Sequence, residues 1–331
     1  MVFGGSTVDL ARVTRARAVA AALAMAVFSP ALSSSRAHAA ELAYDPPVGS
    51  RWIVETEIRS EETRPEGSTT SLVRTRAELT VEAKTADGFR ISWVQRGSMV
   101  EGNARSVALR RAYANVPENI VIRASTDASG KPLRIDNLDE ARAAMRRSAD
   151  TLAAQFAERP AARALFDQLM SELTEADAEN AASVYIDAMV SLAAAQNAGM
   201  KPGEFRWTSK PAQNPLGGDA LMANERFELT DVDSAGRLIF VSATSVDPVA
   251  MSDFMQSFAK SLLAASGDSV TPARVDLLVK SMLFSFDKRA EFQVEDGMTR
   301  KVAEKSTTVF RSMEQNLTQS EARTIAVTPA P

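Results

Sequence analysis

The chain has 331 residues, and 38 lysine and arginine residues stand against 42 aspartate and glutamate residues, for a net charge of −4 at pH 7. It contains no cysteine and a single histidine, His38. The acidic balance argues against nucleic acid as the main partner, because binding phosphate favours a net basic surface. The absence of cysteine excludes disulfides and thiolate chemistry.

Residues 1–39 have the layout of a secretory signal peptide. Three arginines among residues 12–17 give a positive start, residues 18–32 form an apolar run, and a small-x-small cleavage site ends at Ala39. The apolar run is short for a membrane span, although an uncleaved anchor is the alternative. The sequence therefore predicts cleavage near Ala39 and a product in the periplasm or outside the cell.

Cleavage would also change the chemistry of the chain. Residues 1–39 carry four arginines and one aspartate, so their removal takes the net charge from −4 to −7. His38 leaves with them, and the remaining chain then has neither histidine nor cysteine. It lacks the usual zinc ligands, a cysteine nucleophile and a Ser-His-Asp relay. We therefore predict a protein that is not an enzyme, with no cofactor, no metal and no assigned site residues.

Residues 48–136 have the pattern of antiparallel hairpins. Apolar side chains alternate with charged ones over residues 73–83, and a turn at residues 86–88 precedes a second alternating run. One wet face is typical of an antiparallel sheet. Residues 103–116 fit neither the helical nor the strand period.

Residues 137–199 are rich in alanine and predict three helices. Apolar positions recur every three or four residues, which places them on one face of each helix. Asn137 and Thr174 each begin a capping-box spacing, and Pro160 fits a first helical turn. The apolar stripes fit core packing, and a hydrophobic ligand wall is the alternative.

The second half of the chain repeats strands and helices. Residues 204–246 predict strands, residues 248–283 predict helices that begin at an Asp-Pro pair, and residues 284–312 predict a last hairpin. The helices at 248–283 are rich in methionine and phenylalanine. Residues 313–331 lose periodicity and predict a flexible tail.

Two serine–lysine spacings match part of the pattern of penicillin-recognising enzymes. They are Ser257-x-x-Lys260 and Ser285-x-x-Lys288. The other motifs of that family are absent, and Ser285 falls at the start of a predicted strand. A chance match is therefore the favoured interpretation.

Two further motifs are better explained as turns. Asp231-x-Asp233 resembles the start of a calcium loop, but the twelfth position is Ser242, where that loop needs a glutamate. Gly130-Lys131 has two letters of a phosphate loop, but the rest of the motif is missing. Both segments predict hairpin turns.

The element order predicts one α+β domain over residues 40–312, in which a curved, open-barrel-like antiparallel sheet of hairpins packs against a helical block. In its element order alone, this arrangement is similar to periplasmic lipoprotein-carrier folds, in which an open barrel holds helices over an apolar groove. The resemblance implies a groove for an apolar ligand, and it transfers no functional residue.

Three functions are compatible with the sequence. The first is an exported carrier that binds a hydrophobic or amphipathic ligand in a groove between sheet and helices. The second is an envelope interaction or assembly factor with a solid core, whose partner is another envelope protein. The third is a carboxylate-dependent hydrolase, although a chain with only 6% aromatic residues is poor in the stacking surfaces that sugar hydrolases use.

Overall fold

A computed structural model gives the structure of the chain. It describes residues 43–103, 107–212, 220–266, 270–312 and 316–331. The predicted signal peptide, residues 1–39, lies outside the described residues.

Eleven strands are found among the described residues, and they form one sheet. They are β1 (Arg51–Arg64), β2 (Gly67–Lys84), β3 (Phe89–Gly102), β4 (Val121–Thr126), β5 (Pro132–Ile135), β6 (Phe205–Ala212), β7 (Leu221–Val232), β8 (Leu238–Val246), β9 (Leu283–Glu295), β10 (Met298–Arg311) and β11 (Asn316–Pro329).

Seven α-helices lie in the same described ranges. They are α1 (Val107–Asn115), α2 (Leu138–Ala153), α3 (Pro160–Thr174), α4 (Ala181–Tyr185), α5 (Asp187–Ala193), α6 (Pro248–Ser266) and α7 (Pro272–Ser281), with a 3-10 turn at Ala154–Phe156.

The strands follow the order β5-β4-β3-β2-β1-β11-β10-β9-β8-β7-β6. Every neighbouring pair is antiparallel, and most pairs are consecutive hairpins. The sheet does not close, so β5 and β6 are its two edges. The prediction of an α+β fold with a large antiparallel sheet is therefore confirmed.

The prediction of a flexible tail over residues 313–331 is wrong. Residues 316–329 form β11, which pairs with β1 on one side and with β10 on the other. Ile325 and Val327 of this strand are buried. The sequence pattern concealed the strand because Glu321 and Arg323 occupy its core-facing positions, so apolar alternation is confined to its last residues.

The region predicted as strands over residues 48–136 also contains a helix. α1 lies where neither period fitted, because only Leu109, Ala112 and Ala114 are buried and they give too short a stripe to recognise. The Arg111 guanidinium donates to the Val100 carbonyl at 3.0 Å, which attaches α1 to β3.

The helical block departs from its predicted capping. The Asn137 side chain does not cap α2, because its Oδ1 accepts from the Arg123 amide of β4 at 2.8 Å. The predicted third helix is divided into α4 and α5 at Ile186, where φ is −135°. Asp177 Oδ1 accepts from the Asn180 amide at 2.8 Å in the turn before α4.

Apolar side chains form two clusters. The larger one contains side chains of α2 to α5 together with the core face of the sheet, and its largest members are fully enclosed. These include Phe156, Phe166, Met145, Ile186, Met189 and Leu192 from the helical region and Leu79, Ile91, Leu229, Phe240 and Ile325 from the strands. The smaller cluster lies beside α6 and α7.

Candidate functional site

The core face of the sheet changes from apolar to polar and back to apolar along its central strands. On β9, Lys288 occupies the core-facing position between buried Phe286 and buried Ala290. On β10, Glu304 follows Val302 in the same way. Because alternate residues of a strand share a face, these side chains lie in one band across the sheet. This polar belt consists of Ser242, Thr244, Lys288, Glu304, Ser306, Thr308, Glu321 and Arg323.

In the middle of the polar belt, partly buried charged side chains form a network of ion pairs. Arg323 donates to Asp187 Oδ2 at 2.8 Å and to Ser191 Oγ at 3.2 Å, and both acceptors belong to α5. Glu304 lies 3.8 Å from Arg323 and 3.1 Å from the Lys288 ammonium. The side chains of Arg323 and Glu304 are only 12% and 13% exposed. The network therefore connects α5 to β9, β10 and β11.

Five phenylalanines lie beyond the polar belt, between α6 and the ends of β9 and β10. This Phe cluster consists of Phe254, Phe258, Phe284, Phe286 and Phe310. Phe254 meets Phe284 with ring centroids 6.0 Å apart, and Phe258 meets Phe310 edge-on at 5.8 Å. The methionine- and phenylalanine-rich helix predicted from the sequence therefore rests on strand aromatics.

The cover over the Phe cluster is incomplete. Phe254 and Phe258 are only partly buried, whereas Phe166 and Phe240 of the larger cluster have no exposed surface. The helices that cover the Phe cluster also expose apolar side chains of their own. Val249 is 69% exposed, Leu262 is 41% exposed and Leu277 is 64% exposed.

A pocket of about 330 Å³ lies on the other face of the sheet, which we call the outer face. Outward-facing residues of β7, β8, β9 and β10 line it, and its charged members are Arg226, Glu228, Asp287, Arg289 and Lys305. Arg289 and Lys305 are direct register partners. Burial raises the pKa of Asp287 above its ordinary value.

The structure separates the serine–lysine pairs found in the sequence. Ser285 and Lys288 lie three positions apart on β9, so their side chains project to opposite faces of the sheet. Ser257 and Lys260 lie on α6, and both are exposed. Neither pair provides an enclosed nucleophile with a neighbouring base.

The other two motifs are turns, as predicted. Asp233 Oδ1 accepts from the backbone amides of Ala235 and Arg237, and its Oδ2 accepts from the Arg237 side chain. Asp127 Oδ1 similarly accepts from the amides of the turn that contains Gly130. Within the described ranges, no three acidic or histidine side chains lie close enough together to hold a metal.

The belt residues were not recognised in the sequence. The available signal was the break in apolar alternation at Lys288 and Glu304. That signal is ambiguous, because a charged residue within a strand pattern usually faces solvent. Arg323 gave no signal, because its strand was not predicted.

No protein-family model matches the chain, and no curated protein matches it. Solved structures are similar at low identity. A structure of lipovitellin, described in terms of its lipid–protein interactions, has 7% identity and a TM-score of 0.41 over 86% of this chain and 26% of that chain. This chain thus spans about a quarter of the lipovitellin chain.

Two other solved structures cover most of both chains. DynF from the dynemicin biosynthesis pathway of Micromonospora chersina has 7% identity and a TM-score of 0.23 over 93% of this chain and 94% of that chain. An outer membrane channel from Pseudomonas putida has 8% identity and a TM-score of 0.18 over 89% and 100%. TM-scores this low support no argument about fold or function.

Within the described ranges, none of helices α1 to α7 is both long enough and apolar enough to cross a membrane.

Proposed function

We propose that the protein is an exported, non-catalytic binding protein that holds a hydrophobic or amphipathic molecule against the Phe cluster, between the sheet and helices α6 and α7. The observation that carries this proposal is the partial burial of Phe254 and Phe258 beside buried strand aromatics. Export rests on the pattern of residues 1–39.

The physical argument is the difference between the two apolar clusters. The larger cluster is closed, so it has no apolar surface left to gain by binding a ligand. The Phe cluster keeps apolar surface in contact with water at Phe254 and Phe258. Each 100 Å² of apolar surface that a ligand covers contributes about 2.5 kcal/mol, so a single acyl-sized molecule gains enough for measurable affinity.

The polar belt indicates how the proposed ligand is oriented. Thr308 and Ser306 lie on the core face of β10, next in line after Phe310. The Ser306 hydroxyl donates to the Glu321 carbonyl at 3.4 Å, so the Thr308 hydroxyl and Lys288 on the neighbouring strand are the donors for a polar group at the end of an apolar chain. A molecule with one apolar part and one polar part therefore fits this face better than a pure hydrocarbon.

Native mass spectrometry and lipid extraction of freshly purified protein test the proposal, together with titration of a fluorescent fatty-acid analogue. We expect saturable binding of the analogue and an about 10-fold loss of affinity in Phe258→Ala. Leu277→Ala is the matched control, because this residue lies on the exposed side of α7. Absence of bound lipid together with equal binding by both variants would overturn the proposal.

The second candidate function is an envelope interaction factor with a solid core. The observation in its favour is the closed larger cluster, in which Met145, Phe166 and Phe240 are fully buried. An empty preparation that also fails to bind the fatty-acid analogue is the result expected from this candidate. An interaction factor also needs a surface that contacts its partner, and the outer face of the sheet is such a surface.

A carboxylate-dependent hydrolase is the third candidate. It is favoured only by Asp287 and Glu228, two carboxylates in the outer-face pocket, of which Asp287 has a raised pKa. Substrate screening of the wild-type chain beside Asp287→Asn tests it. Turnover that disappears in this variant would replace the binding proposal.

A further inference from the structure

The edge strand β6 is open to solvent. It pairs with β7 from Phe205↔Glu228 to Ala212↔Leu221 with no break in register. No other strand of the described ranges pairs with its far side. The opposite edge, β5, has only four residues, begins with a proline and contacts α4. The two edges are therefore protected to different degrees.

Backbone groups of β6 alternate between β7 and the open edge. The Leu229 amide donates to the Glu204 carbonyl at 3.2 Å, so the backbone groups of every second residue counted from Glu204 face β7. The amides and carbonyls of Phe205, Trp207 and Ser209 therefore face away from β7. The run of donors ends at Pro211, which has no amide hydrogen. Three consecutive pairing positions are available to another strand.

The side chains of the same residues form an apolar patch on the outer face. Phe205 is 52% exposed and Trp207 is 61% exposed, and Met222 of β7, opposite Pro211 at the other end of β6, is 41% exposed. The Arg226 guanidinium lies 4.7 Å from the centre of the Phe205 ring. The outer-face pocket, with Arg289 and Lys305, continues from this patch.

The charges distinguish between two possible occupants. β6 carries Arg206 and Lys210 and no acidic residue, and Lys210 remains 50% exposed although it pairs with Glu225 of β7 at 2.5 Å. Pairing with β6 of a second copy would place these cations close to their own counterparts, and like charges in neighbouring strands are destabilising. An acidic strand would instead place carboxylates beside Arg206 and Lys210.

From these observations we propose that the β6 edge binds an extended acidic segment of another polypeptide, which adds a strand to the sheet beside β6. Main-chain hydrogen bonds from Phe205, Trp207 and Ser209 provide the affinity common to such complexes. Phe205 and Trp207 provide apolar contact, and the basic side chains select acidic partners. This site is independent of the Phe cluster, which lies on the opposite face.

Short blocked peptides that alternate valine with glutamate, or valine with lysine, test the proposal. Tryptophan emission follows binding, because Trp207 is exposed, whereas Trp93 is buried and Trp52 is partly buried beneath Arg300. We expect saturable binding of the glutamate peptide that weakens with added salt, and weaker binding of the lysine peptide. The absence of binding, or a preference for the lysine peptide, would refute the proposal.

Two variants of Ser209 test whether the bound peptide adds a strand beside β6. Ser209→Pro removes one outward amide without removing a hydrogen bond to β7, and Ser209→Ala is its matched control. We expect Ser209→Pro to bind the glutamate peptide about 3- to 10-fold more weakly than Ser209→Ala. Both variants should unfold within about 2 °C of the wild type.

If Ser209→Pro unfolds, a glutamate peptide with alternate N-methylated amides replaces this variant. Equal binding of the methylated and unmethylated glutamate peptides to the wild type overturns strand addition. Sedimentation of the wild type checks for self-pairing. A dimer that Ser209→Pro dissociates, with no peptide binding, would show that a second copy occupies the edge.

Discussion

Replacing Ile325 with alanine tests whether the last strand is central to the fold. Ile325 of β11 has no exposed surface and lies in the larger cluster. Removing a buried isoleucine side chain to its Cβ costs about 2–5 kcal/mol, because apolar burial is lost and a cavity remains. For a domain of this size that loss lowers the thermal midpoint by roughly 4–10 °C.

Thr328→Ala is the matched control on the same strand. Thr328 is exposed near the end of β11, so its unfolding free energy should change by less than about 0.5 kcal/mol. Urea titration followed by far-ultraviolet circular dichroism measures both free energies. A chain that ends at Ser312 is the stronger test, because it separates β1 from β10 and should lose cooperative unfolding.

The sequence pattern and the structure predict different results for this experiment. A flexible tail predicts that Ile325→Ala and the shortened chain unfold like the wild type. If all three chains have the same midpoint, β11 does not lie between β1 and β10, and the sheet order described here is wrong.

Three further predictions concern single side chains. Arg323→Ala should cost about 1.5–3 kcal/mol in a urea titration, because it removes a guanidinium only 12% exposed that joins Asp187 to Glu304. Arg163→Ala, from an exposed helical pair, should cost less than about 0.5 kcal/mol, and equal costs would exclude a structural role for the polar belt. Gly130→Ala should lower the thermal midpoint more than Gly236→Ala. Both glycines have positive φ, but only at Gly130 would an added Cβ lie 2.6 Å from a tyrosine ring. A smaller loss at Gly130 than at Gly236 would contradict that packing. Burial raises the pKa of Asp287, so ionisation of this carboxyl opposes folding above that pKa. Asp287→Asn should therefore raise the thermal midpoint at pH 7, and this gain should disappear as the pH falls towards about 4. A gain that stays constant with pH would contradict the raised pKa.

Local signals in the sequence were sufficient for the hairpins and most of the helices. The turns at Asp127 and Asp233 were recognisable because an aspartate that accepts from nearby backbone amides acts within a few residues. The start of α6 was recognisable for the same reason, since Asp247 Oδ1 accepts from the amides of Val249 and Ala250. Such interactions need no knowledge of the rest of the fold.

The candidate site was less accessible to sequence reasoning. The sequence singled out the methionine- and phenylalanine-rich helix, but it did not indicate that Phe254 would contact Phe284. Lys288 was considered only as a partner for Ser285, which the strand places on the other face. The outer-face pocket draws its residues from four strands, and no local pattern in the sequence connects them.

By itself, the sequence determined a chain without cysteine, a segment with the pattern of a signal peptide, and alternating strands with one wet face. Only the tertiary structure decided that β11 lies between β1 and β10, and that Arg323 therefore meets Glu304 and Asp187. The physical reason is the range of the interactions. Turns and amphipathic faces depend on neighbours a few residues away. A strand whose core face is partly polar acquires its partners, and its burial, from other elements of the fold, here as far as 136 and 261 positions along the chain.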